Sequence, residues 1–312
     1  MMFIKISHYL NDELPEYINI LVGEEVDEKR FVDMYTIIHR NSKDKGYAFK
    51  DRVIEKVRTY FEEVLKAIKE NDEARLIVLS KHIHEAKYTC LGYSQKGSGK
   101  GFGAKKFTNL VCSIKKSEAF ETGLISDVLD VELYIEKIGV DIISDLVTNL
   151  IQDVLAEYTE NVVNELAMAY KLRGVNTHFW DEETRQWIKA DLPMISYNKE
   201  LGGKEYNYLL VPEGFTCDKN QKDRILRQIF DNSVYEIYST KILADREKYG
   251  QYIHETKNKV EVYKKQVSKL INEEFGQGSA IEGRGYLTPK GLLDLIKHYK
   301  EIKDFIELEI KK

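Results

Sequence analysis

The stretch VDIISDLVTNLIQDVLAEYTENVVNELAMAY, residues 140 to 170, decides the fold class. Its apolar residues Ile142, Ile143, Leu146, Leu150, Ile151, Val154, Leu155, Tyr158, Val162, Val163 and Leu166 recur at helical spacing. That spacing predicts one continuous helical stripe and a central packing helix. On its N-terminal side, Phe31, Met34, Ile37 and Ile38, and then Val53, Val57, Tyr60, Phe61, Val64, Leu65 and Ile68, predict further helices between residues 29 and 79. Leu76 to Val78 and Ile83 to Tyr93 read as short strands, residues 104 to 117 as a helix, and Val128 to Ile138 as a strand or short helix ending at Gly139.

On the C-terminal side, His178 to Ile188 carries Trp180 and Trp187 across a polar Asp181-Glu182-Glu183 turn, and Tyr206 to Val211 stops at Pro212. Both read as strands of a small β insertion. After Cys217 the pattern is helical through Phe275, breaks over residues 276 to 285, and restarts at Thr288-Pro289, residues suited to a helix N-cap and first position. The expectation is an α+β, predominantly helical fold with a long central helix, a small β-sheet and a helical C-terminal region. Residues 1–217 should form a mixed core and 218–312 a helical region.

Length and composition agree with a folded protein. A chain of 312 residues with 43% hydrophobic and 32% charged residues can bury a core, and 4 prolines argue against a linker-rich chain. Cys90, Cys112 and Cys217 are odd in number and far apart, so neither a disulfide scaffold nor a zinc spacing is indicated. Apolar runs are interrupted by charge before the roughly 18 residues a membrane span needs, and Met1 to Leu10 lacks a signal-peptide profile. A cytoplasmic protein without a membrane partner is expected.

A net charge of −5 denies the whole chain a basic footprint, but the charge is unevenly placed. Residues 87 to 118 hold seven lysines and one acid, a balance of +6; residues 119 to 170 hold eleven acids and one lysine, a balance of −10. The basic block surrounds Gly92, Gly97, Gly99, Gly101 and Gly103. Bare backbone N–H groups in such a loop, with the dipole of a helix starting near Ala104, favour an anion such as phosphate. Gly97, Gly99, Gly101, Gly103, Lys96, Lys105 and Lys106 are the candidate phosphate ligands. Lys100 precedes Gly101 where a P-loop needs Ser or Thr, and the glycine spacing is not that of a dinucleotide fold, so both patterns are missed.

Asp127, Asp130, Glu132, Glu136, Asp141 and Asp145 fall within nineteen positions, and the last two lie one helical turn apart. Carboxylates so placed suit Mg2+ or Mn2+. Asp127, Asp130, Asp141 and Asp145 are the candidate metal ligands, and Asp141, Asp145, Glu136 and Lys100 the candidate catalytic residues. The same acids also continue at four-residue spacing through Asn149, Asp153, Glu157, Asn161 and Glu165, as on a solvated stripe. Asp72 followed by Glu85-Ala86-Lys87 gives a second acid-and-lysine order used by nucleases.

His82 and His84 would share one face of a strand, where they could ligate a metal or shuttle protons; His178, Trp180 and Trp187 could mark a binding surface. Tyr235, Tyr238, Tyr249, Tyr252 and Tyr263 beside lysines could stack on bases, although their helical spacing favours packing. The reading that joins these features is a metal-dependent phosphodiesterase or nuclease acting on nucleic acid. The alternatives are a binding or assembly protein, in which basic and acidic segments build homo- or hetero-oligomers, and a nucleotide-binding protein.

Overall fold

The computed structural model describes residues 4–24, 26–40, 43, 45–84, 87–93, 103–136, 138–198, 203–276, 281–282 and 286–312. In chain order its elements begin β1 (Ile4–Lys5), α1 (Ile6–Leu10), β2 (Leu21–Val22), β3 (Phe31–Val32), α2 (Met34–Ile38), α3 (Lys50–Glu70) and α4 (Glu73–Ser80). They continue through α5 (Ala104–Lys115), α6 (Glu118–Glu121), α7 (Val128–Tyr134), α8 (Val140–Leu150), α9 (Gln152–Glu165), β4 (Leu172–Asp181), β5 (Gln186–Asn198), β6 (Glu205–Tyr208) and β7 (Thr216–Cys217). The remainder is α10 (Gln221–Ile229), α11 (Tyr235–Ala244), α12 (Arg246–Tyr249), β8 (Ile253–Thr256), β9 (Lys259–Val262), α13 (Lys264–Phe275), β10 (Ile281–Glu282), β11 (Tyr286–Leu287), α14 (Pro289–His298) and α15 (Lys300–Phe305). With 58% helix and 17% strand in small sheets, the fold is α+β and predominantly helical.

The chain divides into two compact units, Met1–Val128 with Ile138–Lys219, and Leu129–Lys137 with Asn220–Lys312. In the first, α3 buries Val53, Val57, Tyr60, Phe61, Val64 and Ile68 along one face, while Arg58 bridges Glu55 and Glu62 on the other. It ends at Asn71, whose φ of 53° is a left-handed stop. Beside it lies the antiparallel sheet β4–β5–β6, in register at His178↔Lys189, Trp180↔Trp187 and Ile195↔Tyr208. Trp180 is wholly buried against Tyr60, with 5.0 Å between ring centroids, and its indole N–H donates to Thr59 Oγ1 at 3.1 Å. A second core joins Ile6, Leu10, Ile20 and Val22 to Tyr158, Val162 and Val163 of α9 and to Ile195 and Tyr208 of the sheet.

Several local expectations change: Phe31 lies in strand β3, not a helix, and the described part of Ile83–Tyr93 forms turns, not a strand. The stripe from Val140 is two helices, not one, because the backbone leaves helical geometry at Ile151 (φ −105°, ψ 18°). Just before that point the Asn149 side-chain amide donates to the Asp145 carbonyl, competing with the helix ladder. Leu76 to Val78 lie in helix α4, not a strand, since the Asp72 carboxylate caps the helix by accepting from Arg75 N at 2.9 Å. The region after Cys217 is interrupted by the β8–β9 hairpin, turned at Lys257-Asn258.

In the second unit α10 runs through a π-helical segment, Phe230–Val234, into α11. Tyr238, Tyr249 and Tyr252 are buried there. Thr288 caps α14, accepting from Gly291 N at 2.9 Å. Asp130, at zero exposure, accepts from Lys311 Nζ at 3.0 and 3.2 Å. No helix among the described residues is long and apolar enough to cross a membrane.

Candidate functional site

The first unit gathers three histidines that the sequence leaves apart. His82 and His84 lie not on a strand but in the turn after α4, because Asp72 starts a helix that ends at Ser80 and leaves them beyond it. His178 lies on β4, paired with Lys189 of β5. The His82 and His178 rings stack at 3.6 Å between centroids and 11° from parallel. Beneath them Trp187 lies edge-on to His82 at 5.7 Å, and Trp187, Trp180 and Tyr60 continue the ring cluster into the core. Trp187 Nε1 and Tyr60 Oη both donate to the Leu79 carbonyl, at 3.0 and 3.1 Å. The end of α4 is thereby fastened to the sheet.

His84 is exposed, yet its ring is held by a buried chain of amides. Asn149 Nδ2 donates to the carbonyls of His84 (2.5 Å) and Asp145 (2.7 Å). Carbonyls only accept, so the amide nitrogen must face them and Oδ1 must face His84 Nδ1, 2.8 Å away. His84 therefore carries its proton on Nδ1 and leaves a lone pair on Nε2. Gln152 Nε2 reaches the same Oδ1 at 3.4 Å, and Thr177 Oγ1 donates to Gln152 Oε1 at 2.9 Å. Asn149, Gln152 and Thr177 are all buried, so this polar chain is shielded from water along its length.

Charge completes the picture. Burial first, and then the neighbouring His178, His84 and Lys81, push the His82 imidazole down to about 4. Burial, Lys189 and His84 lower His178 in the same direction. The stacked pair is thus neutral at neutral pH, while Lys81 and Lys189 bring exposed positive charge to its edge. An exposed histidine with a fixed tautomer, backed by a buried amide chain and flanked by cations, is equipped to take a proton from a nucleophile attacking an anionic substrate.

The acidic candidates are distributed differently. Asp127, Asp141 and Asp145 belong to the first unit and Asp130 and Glu136 to the second. Asp127, Asp141 and Asp145 are half-buried and Glu136 is exposed, whereas Asp130 is occupied by Lys311. Asp145 adjoins the histidine cluster through its carbonyl, held by Asn149. Among the described residues, no group of three or more His, Cys, Asp and Glu side chains could hold a metal ion. The four-residue series does not run on as a solvated stripe, since Asn149 and Asp153 are buried. Asp72 spends its carboxylate on the α4 cap, and its Glu85 companion lies outside the described residues.

Lys96, Gly97, Gly99, Lys100 and Gly101 also lie outside the described residues. Both flanks of that segment are described. Gly92, at φ 135°, donates to the Glu28 carbonyl at 3.0 Å, a backbone shape that a side chain would strain. Gly103 is the N-cap of α5, which carries Lys105 and Lys106 in its first turn. Gly92, the described flank on the N-terminal side, is eight residues after His84.

Gln152 and Thr177 were hidden from sequence reasoning, which placed Asn149 only beside the acids of the central helix and not next to a histidine. Their signal was polar side chains set among the apolar positions of the 140–170 stretch and opposite them on β4. An apolar groove of about 290 Å³ lies elsewhere in the same unit, lined by Ile68, Leu76, Ile77, Phe107 and Val111 with Asn71 and Lys115 at its polar end. It holds no histidine and no paired acids for acid–base work.

The chain belongs to the family described as Domain of unknown function (DUF8370), whose sequence profile matches residues 12–222. That span includes every residue of the histidine cluster and its amide chain. No curated protein and no solved structure matches the chain.

Proposed function

We propose that this protein is a phosphodiesterase or nuclease acting on nucleic acid, with His84 as its general base. The observation that carries this reading is the buried Thr177–Gln152–Asn149 chain that fixes His84 with Nε2 as acceptor. Nε2 would take the proton of the attacking water or ribose hydroxyl, while Lys81 and Lys189 would offset charge on the phosphoryl oxygens. A divalent ion at Asp141 and Asp145, one helical turn apart on α8, would add Lewis-acid help to the same attack. The same reading keeps the protein in a reducing cytoplasm, which suits three cysteines that form no disulfide.

The test is incubation of purified protein with plasmid, single-stranded DNA and RNA, each with magnesium, manganese or EDTA. Cleavage of at least one substrate is expected, reduced about 10²- to 10⁴-fold by His84→Ala. Cleavage that His84→Ala leaves unchanged overturns the assignment of the base. Cleavage that EDTA abolishes, and that Asp141→Asn with Asp145→Asn also abolishes, assigns the ion to α8; EDTA-resistant cleavage assigns the chemistry to the histidines alone.

A further inference from the structure

At the start of β4 a second surface combines aromatic rings with uncompensated cations. Tyr170, in the turn Ala169–Lys171, is 66% exposed. Lys171 Nζ lies 3.3 Å from the Tyr9 ring centroid and 5.6 Å from that of Tyr170. Arg173 Nη1 donates to the carbonyls of Tyr170 (3.1 Å) and Leu172 (2.8 Å). Tyr9 meets the edge of Tyr197 at 5.0 Å and 87°, and Tyr197 pairs with Tyr206 across the sheet. Among the described residues, neither Lys171 nor Arg173 has a carboxylate within 4.0 Å of its side-chain nitrogens. Burial pushes the Lys171 ammonium below its ordinary value.

We propose that Tyr170, Lys171 and Arg173, backed by the Tyr9–Tyr197–Tyr206 row, form a docking platform for single-stranded nucleic acid. An exposed tyrosine offers a face on which any base can stack, and two unpaired cations beside it suit the phosphates on either side of that base. An acidic peptide would satisfy the cations but leave the tyrosine face without a planar partner. Arg173 and His178 share β4, but they are five residues apart and strand alternation puts their side chains on opposite faces, so the platform is a binding surface distinct from the histidine cluster. This proposal rests on the reading of the chain as one that acts on nucleic acid, and adds its preference for unpaired strands.

The test is fluorescence anisotropy with a labelled oligodeoxythymidylate of about 12 nucleotides and an oligouridylate of the same length, using His84→Ala protein so that the probes stay intact. Tyr170→Ala should weaken binding about five- to 150-fold, with Tyr170→Phe retaining it. Lys171→Gln and Arg173→Gln should each lower the slope of log affinity against log salt by about 0.7. No binding of either probe, or equal binding by the Tyr170→Ala, Lys171→Gln, Arg173→Gln triple variant, overturns the platform. Displacement of the probe by polyglutamate, with Tyr170→Ala neutral, overturns it in favour of an acidic peptide. Platform-dependent binding by a wild-type protein that cleaves nothing would leave the platform standing and remove the catalytic reading.

Discussion

His82 and His178 lie face to face, 3.6 Å apart, although ninety-six residues separate them in the chain. Two imidazoles can stack in this way only while at least one is neutral, and the surroundings keep both so. The native value for His82, about 4, lies below the 6.5 of an unperturbed imidazole. Between those values the unfolded chain binds more protons than the native one, so stability falls as pH falls. The contribution is complete above pH 6.5 and lost as pH drops toward 4. His82→Phe keeps a ring in the stack and removes the proton site. Its Tm should fall less between pH 6.5 and 4 than that of the wild type. Parallel Tm profiles would refute the assignment.

The His84–Asn149 pair makes a spectroscopic claim. In wild-type protein above pH 7, ¹⁵N spectra should show the Nδ1–H tautomer of His84. Asn149→Ala should shift that ring toward a tautomer mixture and lower kcat, leaving KM within about twofold, because the amide orients the base and does not touch substrate. A pure Nδ1–H tautomer in the variant would show that the amide is not what holds the ring.

Lys56 is fully buried under the sheet. Its ammonium bonds the Trp180 carbonyl at 2.5 Å, Glu182 at 2.6 Å and Asp153 at 3.0 Å. Arg52 adds bridges to Asp153 and Glu157. Removing the amine with Lys56→Ala takes the buried cation from Asp153 and Glu182, leaving them Arg52 alone, and should cost about 3–5 kcal/mol in urea unfolding. Lys56→Met, combined with Asp153→Leu, should recover most of that loss. A single-variant cost below about 1 kcal/mol would show that the acids find other partners.

Asp130 invites the same measurement for a different purpose. Because Lys311 holds it, Asp130→Ala should destabilise the second unit by about 3–5 kcal/mol, and Lys311→Met should offset part of the cost. Any activity lost in Asp130→Ala then reports unfolding and not a missing metal ligand. An Asp130→Ala protein as stable as the wild type would show that the pair contributes nothing net.

Much of this architecture was legible where side-chain period and packing agree. Val53, Val57, Tyr60, Phe61, Val64 and Ile68 announce α3 without ambiguity, Trp180 and Trp187 mark facing positions of a hairpin, and Thr288-Pro289 opens α14. Leu76 to Val78 misled because their apolar run suits a strand, whereas one carboxylate at Asp72 commits the segment to a helix. The acids between Asp127 and Asp145 looked like one cluster because sequence proximity says nothing of which unit a side chain joins. The histidine cluster was hidden for the opposite reason. Its members come from positions 82, 84, 149, 152, 177 and 178, and no spacing rule links a turn, two helices and a strand. Only the polar Asn149 and Gln152 within an apolar stretch hinted at a buried network.

The nine residues Leu129–Lys137, which fold with the C-terminal unit although they lie within the N-terminal sequence, carry a practical consequence. The polypeptide passes between the units three times, after residues 128, 137 and 219. A fragment cut at 219 would therefore take the carboxylate of Asp130 away from the amine of Lys311 and break their buried ion pair. Any graft, truncation or split version of this protein has to move those nine residues with the helices they serve.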